Sequence, residues 1–158
     1  MNIYLIRHGD AESMSLRIPD FERKLTLDGI DTITKAAEGW KKLIPEFDFI
    51  VSSNLVRAVQ TSEIVKEVFG YKGEIIFDRC ITSGDPKSVL ELAVSLKGRN
   101  IAFVGHEPHF SRYTAEMISA TEAYINFKKG MIAKIVFEGK KKVGAGELEF
   151  LIPAKAYK

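Results

Sequence analysis

Short apolar runs alternate along this chain with segments whose apolar residues recur at helical spacing. Residues 3–6, Ile-Tyr-Leu-Ile, form a continuous apolar run and read as a buried strand. Thr26 can cap a helix carrying Ile30, Ile33, Ala37, Trp40 and Ile44, which Pro45 ends. Residues 47–51 predict a second strand. Residues 55–69 predict a second helix, with Val56, Val59, Val65 and Val68 on its inner faces and Gly70 as its stop. Residues 74–77 read as a third strand. Pro86 sits in the first turn of a third helix through Leu96, residues 101–104 read as a fourth strand, and Pro108 opens a fourth helix containing Phe110, Tyr113, Met117 and Ile118.

The last part changes character: residues 131–137 and 147–152 read as two strands joined by a hairpin loop over 139–146. Four successive strand–helix units predict an α/β protein, a three-layer sandwich with a mainly parallel central sheet, to which the final hairpin adds antiparallel strands. No linker or repeat interrupts the 158 residues, so a single domain over 1–158 is expected, with residues 154–158 as a frayed tail.

Composition narrows the function classes. Hydrophobic residues make up 46% and charged residues 28%, in the range of globular domains. The net charge of +2 is too mild to select nucleic acid as a partner, and Lys140-Lys141-Lys142 reads as a basic hairpin tip in water. The first apolar run is far short of a secretory or membrane-spanning segment, so neither export nor a membrane is expected. The single cysteine, Cys80, excludes an intrachain disulfide and reads as a packed apolar residue; a reducing, cytoplasmic location is the expectation.

Chemistry gathers after the strands. In open α/β sheets ligands bind at the carboxyl ends of the strands. Arg7-His8-Gly9-Asp10 follows the first strand, Ser52-Ser53-Asn54 the second with Arg57 one turn into the next helix, and Gly105-His106-Glu107-Pro108 the fourth. The third leads to Asp78, Arg79 and then Gly84-Asp85-Pro86. Two arginines and two histidines at one sheet edge suit a phosphoryl group. Guanidinium forks match its oxygens, and a neutral imidazole can attack phosphorus to form a phosphohistidine. On this reading His8 attacks, nearby arginines depress its pKa, and His106 stabilises the transition state. Gly9 leaves room for phosphate to approach. Singly, each piece has a plainer reading: a loop for Arg-His-Gly, a turn for His106, a solvated charge for Arg57. A metal site formed by His8, His106 and His109 with Asp10, Glu12 or Glu107 is the rival, opposed by Arg7 beside the cation and by Pro108 between two of the ligands.

Four segments, in order, carry a family resemblance: Leu5-Ile6-Arg7-His8-Gly9, Leu25-Thr26-Leu27-Asp28-Gly29, residues 52–61 from Ser52 to Thr61, and Val104-Gly105-His106. The chain resembles the histidine phosphatase superfamily (phosphoglycerate mutase-like). Its short length, Arg7-His8-Gly9-Asp10-Ala11-Glu12, Gly84-Asp85 and the closing Gly144-Ala145-Gly146-Glu147-Leu148 are similar to the SixA-type phosphohistidine phosphatases. The resemblance implies that His8 is the phosphorylated nucleophile, that Arg7, Arg57 and His106 form the phosphate pocket, and that no metal or other cofactor takes part. It also implies that Arg23 reaches phosphate, against the alternative of a surface charge. Ser52 either adds a hydrogen bond or caps the next helix.

The proton donor is the open position. Many family members place a glutamate after the third strand; none lies between Phe77 and Pro86 here, and Asp85, with Asp78 behind it, is either a general acid or a helix cap. An imidazole leaving group needs a donor less than an alkoxide does, so the gap favours phosphohistidine substrates. The segment 78–85 is also shorter than the lid that family mutases and sugar phosphatases carry, which implies an open site. The expected activity is therefore hydrolysis of phosphohistidine on a protein. The alternatives are a small-molecule phosphomonoesterase using the same His8 chemistry and a non-catalytic phosphate-binding domain.

Overall fold

In the first strand, β1 (Asn2–Arg7), Ile3 and Leu5 join one buried cluster and Tyr4 and Ile6 another. That alternation means that both faces of the sheet are covered. The structure, a computed structural model, describes residues 1–157; Lys158, the end of the expected tail, lies outside the described residues. The remaining elements are α1 (Leu27–Trp40), β2 (Phe49–Ser52), α2 (Val56–Phe69), β3 (Ile76–Phe77), α3 (Pro86–Leu96), β4 (Asn100–Gly105), α4 (His109–Ile118), β5 (Ile132–Val136) and β6 (Glu147–Ile152). The strands lie in the order β3-β2-β4-β1-β5-β6. The first four run parallel, and β5 and β6 add antiparallel to the β1 edge.

Helices cover both faces, giving the three layers. Ile33, Ala37 and Trp40 of α1 and Ala58 and Val65 of α2 pack on Tyr4, Ile6, Ala102 and Val104. Val89, Leu90 and Ala93 of α3 and Phe110, Tyr113 and Met117 of α4 pack on Ile3, Leu5, Ile101 and Phe103. Thr26 caps α1 as expected, accepting from the Gly29 N–H at 3.0 Å. Cys80 is buried, and burial pushes its thiol pKa up to about 12, which suits a packed apolar residue. Lys140, Lys141 and Lys142 are exposed. No helix among the described residues is long and apolar enough to cross a membrane.

Several expectations need correction. Helix α1 ends at Trp40 rather than running to Pro45; a turn carries residues 41–43, and Ile44 still reaches the core beyond it. The second strand begins at Phe49, not residue 47, and β3 has two residues instead of four. The buried face of α2 is Arg57, Ala58, Thr61, Ser62 and Val65, whereas Val56, Val59 and Val68 are only half-buried. The first turn of this helix faces a polar site, so its inner face cannot be read from valines. The tail is also docked. Residues Ala154–Tyr157 form a 3-10 turn against α1, where the Tyr157 ring occupies the space that a Cβ on Gly39 would take, 2.1 Å from the nearest ring atom.

Helix α1 is seated directly on the loop that follows β1. A Cβ on Gly29 would lie 2.1 Å from the Asp10 carbonyl oxygen, a backbone atom that cannot move aside cheaply. Gly29→Ala should therefore destabilise the fold by about 1–3 kcal/mol. Gly139→Ala, where nothing lies within 4 Å of the added carbon, should stay within about 0.5 kcal/mol of the parent. Urea unfolding of the two variants side by side checks this, and equal midpoints would contradict the close approach.

Candidate active site

Strand pairing brings the polar loops together. Arg7 at the end of β1 pairs in register with Gly105 at the end of β4, and Ser52 of β2 pairs with Val104. The residues that follow, His8 and His106, therefore emerge side by side at the carboxyl edge of the sheet. The His8 N–H donates to the Gly105 carbonyl at 2.9 Å, which ties the two loops to each other. Arg57 reaches the same place from the first turn of α2. His8, Arg57 and His106 are all buried, so Arg57 is not the solvated charge that its position on a helix would suggest.

The state of His8 follows from its partners. Its Nδ1 lies 2.7 Å from the Gly9 carbonyl oxygen, which can only accept, so Nδ1 carries the proton. Nε2 then holds the free lone pair, and it accepts from Arg57 Nε at 3.3 Å. The His8 pKa is lowered to about 3. Burial is the largest cause; the bond to Gly9 opposes it, and Arg57, Arg7 and His106 lower it further. The arginines, expected from the sequence to cause this shift, come after desolvation. His106 is lowered to about 4, again by burial foremost and then by Arg57.

Asp20, in a 3-10 turn over Asp20–Glu22, orients Arg57. Its backbone carbonyl accepts from Arg57 Nη1 at 2.7 Å, and its carboxylate accepts from Nη2 at 3.1 Å. The other carboxylate oxygen accepts from Arg23 Nη2 at 2.6 Å and Nε at 3.0 Å. Arg23 also donates to the Glu12 carbonyl at 2.7 Å, so Arg23 joins the cluster through Asp20 instead of standing as a loose surface charge. Arg7 donates to the Phe127 carbonyl. Its Nε, and Nδ1 of His106, are buried with no hydrogen-bond partner among the described residues. A buried polar atom left unpaired costs about 1–3 kcal/mol, so the cluster retains unmatched polar capacity.

The other expected residues divide. Gly9 lies in the site, and the space its missing side chain leaves is taken up by α1. A Cβ there would meet Ile33 Cγ1 at 2.7 Å and the Gly29 carbonyl at 3.0 Å, so Gly9 makes room for α1. Ser52 is buried and donates to the carbonyl of Ser53 at 3.0 Å; α2 begins after Leu55 with no side-chain cap, so the capping alternative for Ser52 does not hold. Asp85 is the N-cap of α3. It accepts from the Lys87 N–H at 3.0 Å and the Ser88 hydroxyl at 2.7 Å, and the Ser88 hydroxyl foremost holds its pKa below the usual carboxylate value. Asp78 caps the following 3-10 turn through the Cys80 N–H.

The carboxylates of the rival metal set have other partners. Asp10 binds Lys129 and Thr26, Glu12 accepts the Lys24 N–H, and Glu107 accepts from Ser111. Among the described residues, no three His, Cys, Asp or Glu side chains are grouped to hold a metal ion. His109 opens α4 with its ring 5.7 Å from that of His106.

Four contributors could not be read from the sequence pattern. Asp20 sits in a stretch without periodicity, and its only signal is the spacing of three to Arg23. Thr61 accepts the Gly9 N–H at 3.3 Å and donates to the Arg57 carbonyl at 2.8 Å; its position four residues after Arg57 on one helix face was the available clue. The carbonyls of Gly9 and Phe127 are main-chain groups, on which residue type says nothing.

Comparison with known proteins places this geometry in a family. The model of the histidine phosphatase superfamily (branch 1) matches residues 3–81. A phosphohistidine phosphatase SixA homolog from Haemophilus influenzae is 28% identical over 152 residues, covering 89% of this chain and 91% of the relative. The structure of the protein histidine phosphatase SixA complexed with tungstate superposes with a TM-score of 0.87 at 23% identity, covering 100% of both chains. A phosphoserine phosphatase mutant from Entamoeba histolytica in complex with phosphoserine superposes with a TM-score of 0.66 at 16% identity, covering 98% of both chains.

The depressed pKa values have a measurable consequence. By ring-resonance NMR, His8 and His106 should remain neutral from pH 8 down to pH 5, and a His8 ring titrating near 6.5 would contradict the assignment. In the unfolded chain both rings take up a proton near pH 6.5. Between that pH and the folded values of about 3 and 4, the unfolded state binds more protons. Their stabilising contribution is thus present above about pH 6.5 and lost as pH falls through this window. The urea midpoint should be lower at pH 5 than at pH 7, with a smaller difference in His8→Gln.

Proposed function

This chain belongs to the histidine phosphatase superfamily, and from that membership we propose that it hydrolyses phosphohistidine on a protein through a phosphohistidine of its own at His8. The observation that carries the proposal is the state of that imidazole: neutral, protonated on Nδ1 by its bond to the Gly9 carbonyl, with the Nε2 lone pair facing Arg57. Nε2 attacks phosphorus and the bond to the substrate imidazole breaks. A phosphorylated imidazole that is already protonated on its other nitrogen leaves as a neutral ring. Water then attacks the phosphoenzyme, orthophosphate leaves, and the electron pair returns to Nε2. Arg7, Arg57 and His106 stabilise the phosphoryl oxygens in both steps, and Arg23 supports them from the rim. The mechanism requires no metal or cofactor.

Two features support a protein substrate. The link between β3 and α3 holds one short 3-10 turn, Arg79–Thr82, whose own Cys80 and Ile81 are buried, so no lid extends from this side. Met14, Leu16, Phe21 and Leu27 are exposed around the excursion that the Ala11–Leu25 bridge closes. Phe21 adjoins Asp20, and exposed apolar side chains beside a phosphoryl site suit contact with a folded partner. The name of the Haemophilus relative points the same way. Similarity to the phosphoserine phosphatase keeps small-molecule phosphomonoester hydrolysis, by the same His8 chemistry, as the second reading. Asp85 enters neither mechanism: both its oxygens serve α3, and its role is that of a cap.

Two measurements test this. Acid-labile radiolabel from a phosphohistidine protein should be trapped on the parent and absent from His8→Ala, whose turnover should fall by at least about a thousandfold; near-parental turnover by that variant would overturn the mechanism. In one assay, phosphohistidine protein should be cleaved faster than a panel of phosphoesters. In the same assay, Asp85→Asn should lower both rates equally and by less than about threefold, because it retains capping ability. A selective loss of about a hundredfold on phosphoesters would instead make Asp85 a proton donor.

A further inference from the structure

We propose that Asp20 is an internal stand-in for the phosphoryl group, a carboxylate that occupies one prong of the Arg57 fork between turnovers and is exchanged there for a phosphoryl oxygen. The inference rests on the reading that phosphate binds beside His8, and it assigns the strength of that binding to a residue outside the Arg-His-Gly and Gly-His motifs.

The geometry separates fixed from exchangeable contacts. Arg57 Nη1 is held at 2.7 Å by the Asp20 backbone carbonyl, a main-chain anchor that does not depend on the side chain. The outer edge of the guanidinium consists of Nε and Nη2, the pair that grips two oxygens of one anion. Nε lies 3.3 Å from the attacking nitrogen of His8, so a phosphoryl group at that nitrogen meets this edge first. Nη2 is already engaged by the carboxylate, at 3.1 Å. This is the longest of the four bonds that Asp20 makes to the two arginines, and the bond from its other oxygen to Arg23 Nη2 is 2.6 Å. Exchange at Nη2 thus breaks only the weakest contact, and Arg23 keeps the carboxylate as it swings away. The Asp20 side chain is half exposed, whereas that of Arg57 is buried, so the carboxylate is the partner free to move. Its carboxyl is also held below the ordinary value, by Arg23 foremost, so the competing charge is present at neutral pH.

The arrangement sets a sign. If Asp20 only positioned Arg57, removing its charge would weaken phosphate binding. If it competes with phosphate, removing the charge strengthens binding and slows the escape of product. Titration of inorganic phosphate by calorimetry into the parent, Asp20→Asn, Asp20→Ala and Arg57→Ala separates these. Asp20→Asn should bind phosphate about 3- to 5-fold more tightly than the parent, the size of a partly exposed ion pair. Its KM and its inhibition constant for phosphate should fall together. Asp20→Ala should tighten binding in the same direction. Equal or weaker binding by both Asp20 variants, with Arg57→Ala still abolishing it, would overturn the inference and leave the site reading intact. Phosphate binding that Arg57→Ala does not touch would overturn the site reading itself. A phosphate-soaked crystal gives a second check: the Asp20 backbone carbonyl should remain on Nη1 while the carboxylate has left Nη2, and phosphate bound beside His8 with the carboxylate still on Nη2 would refute the exchange.

Discussion

Two imidazoles from distant parts of the chain come together at one edge of the sheet, and the parallel pairing of β1 with β4 is what brings them there. The match of Arg7 with Gly105 is set several residues earlier, where Ile3, Leu5, Ile101 and Phe103 fill one core and Tyr4, Ile6, Ala102 and Val104 fill the other. Because side chains alternate across a strand, slipping either strand by one residue would drive each of these into the wrong layer. The packing of both cores therefore fixes the relative height of His8 and His106. Helix α1 then presses on the loop beyond β1 through Gly9 and Gly29, and the first turn of α2 delivers Arg57 from the same layer.

Charge at the site is moderated as well as concentrated. Arg7, Arg23 and Arg57 supply positive potential, yet burial is the largest single cause that keeps His8 neutral. Desolvation acts on the ring whether or not an anion is bound, whereas the arginine contribution is offset once a phosphoryl group neutralises the guanidiniums. An imidazole whose largest single shift comes from burial is less sensitive to changes in the charge around it. Asp20 moderates from the other side, balancing part of the positive charge through its bonds to Arg57 and Arg23.

The fold was legible because its elements carry strong local signals. Buried strands are continuous apolar runs, α1 has Thr26 at its start, and α2 has Gly70 in a left-handed conformation at its end. Errors fell where local pattern yields to tertiary context. The valines of α2 misreported its buried face because that face serves a polar site, and the tail looked unstructured because its partner, Gly39, shows no side chain to betray the contact with Tyr157. In the site, His8, Arg7, Arg57 and His106 stood out as polar residues following strands. Asp85 was ambiguous because an acid and a cap look alike before Pro86. Asp20 was invisible because residues 11–24 have neither periodicity nor a strand to place them.

Consider, finally, the Gly9 carbonyl that keeps the proton on Nδ1 of His8. In hydrolases built on a carboxylate–histidine pair, one codon change can delete the orienting group. Here that group belongs to the peptide backbone, so no change of side chain deletes it outright. Alanine at position 9 would keep the oxygen but displace it, because the added carbon would lie 2.7 Å from Ile33 Cγ1 and 3.0 Å from the Gly29 carbonyl. What drift can alter is the path of the loop, through Gly9 itself or through Ile33, Gly29 or Thr61, so inherited damage to the His8 imidazole would map to this loop and to the helices α1 and α2 that hold it.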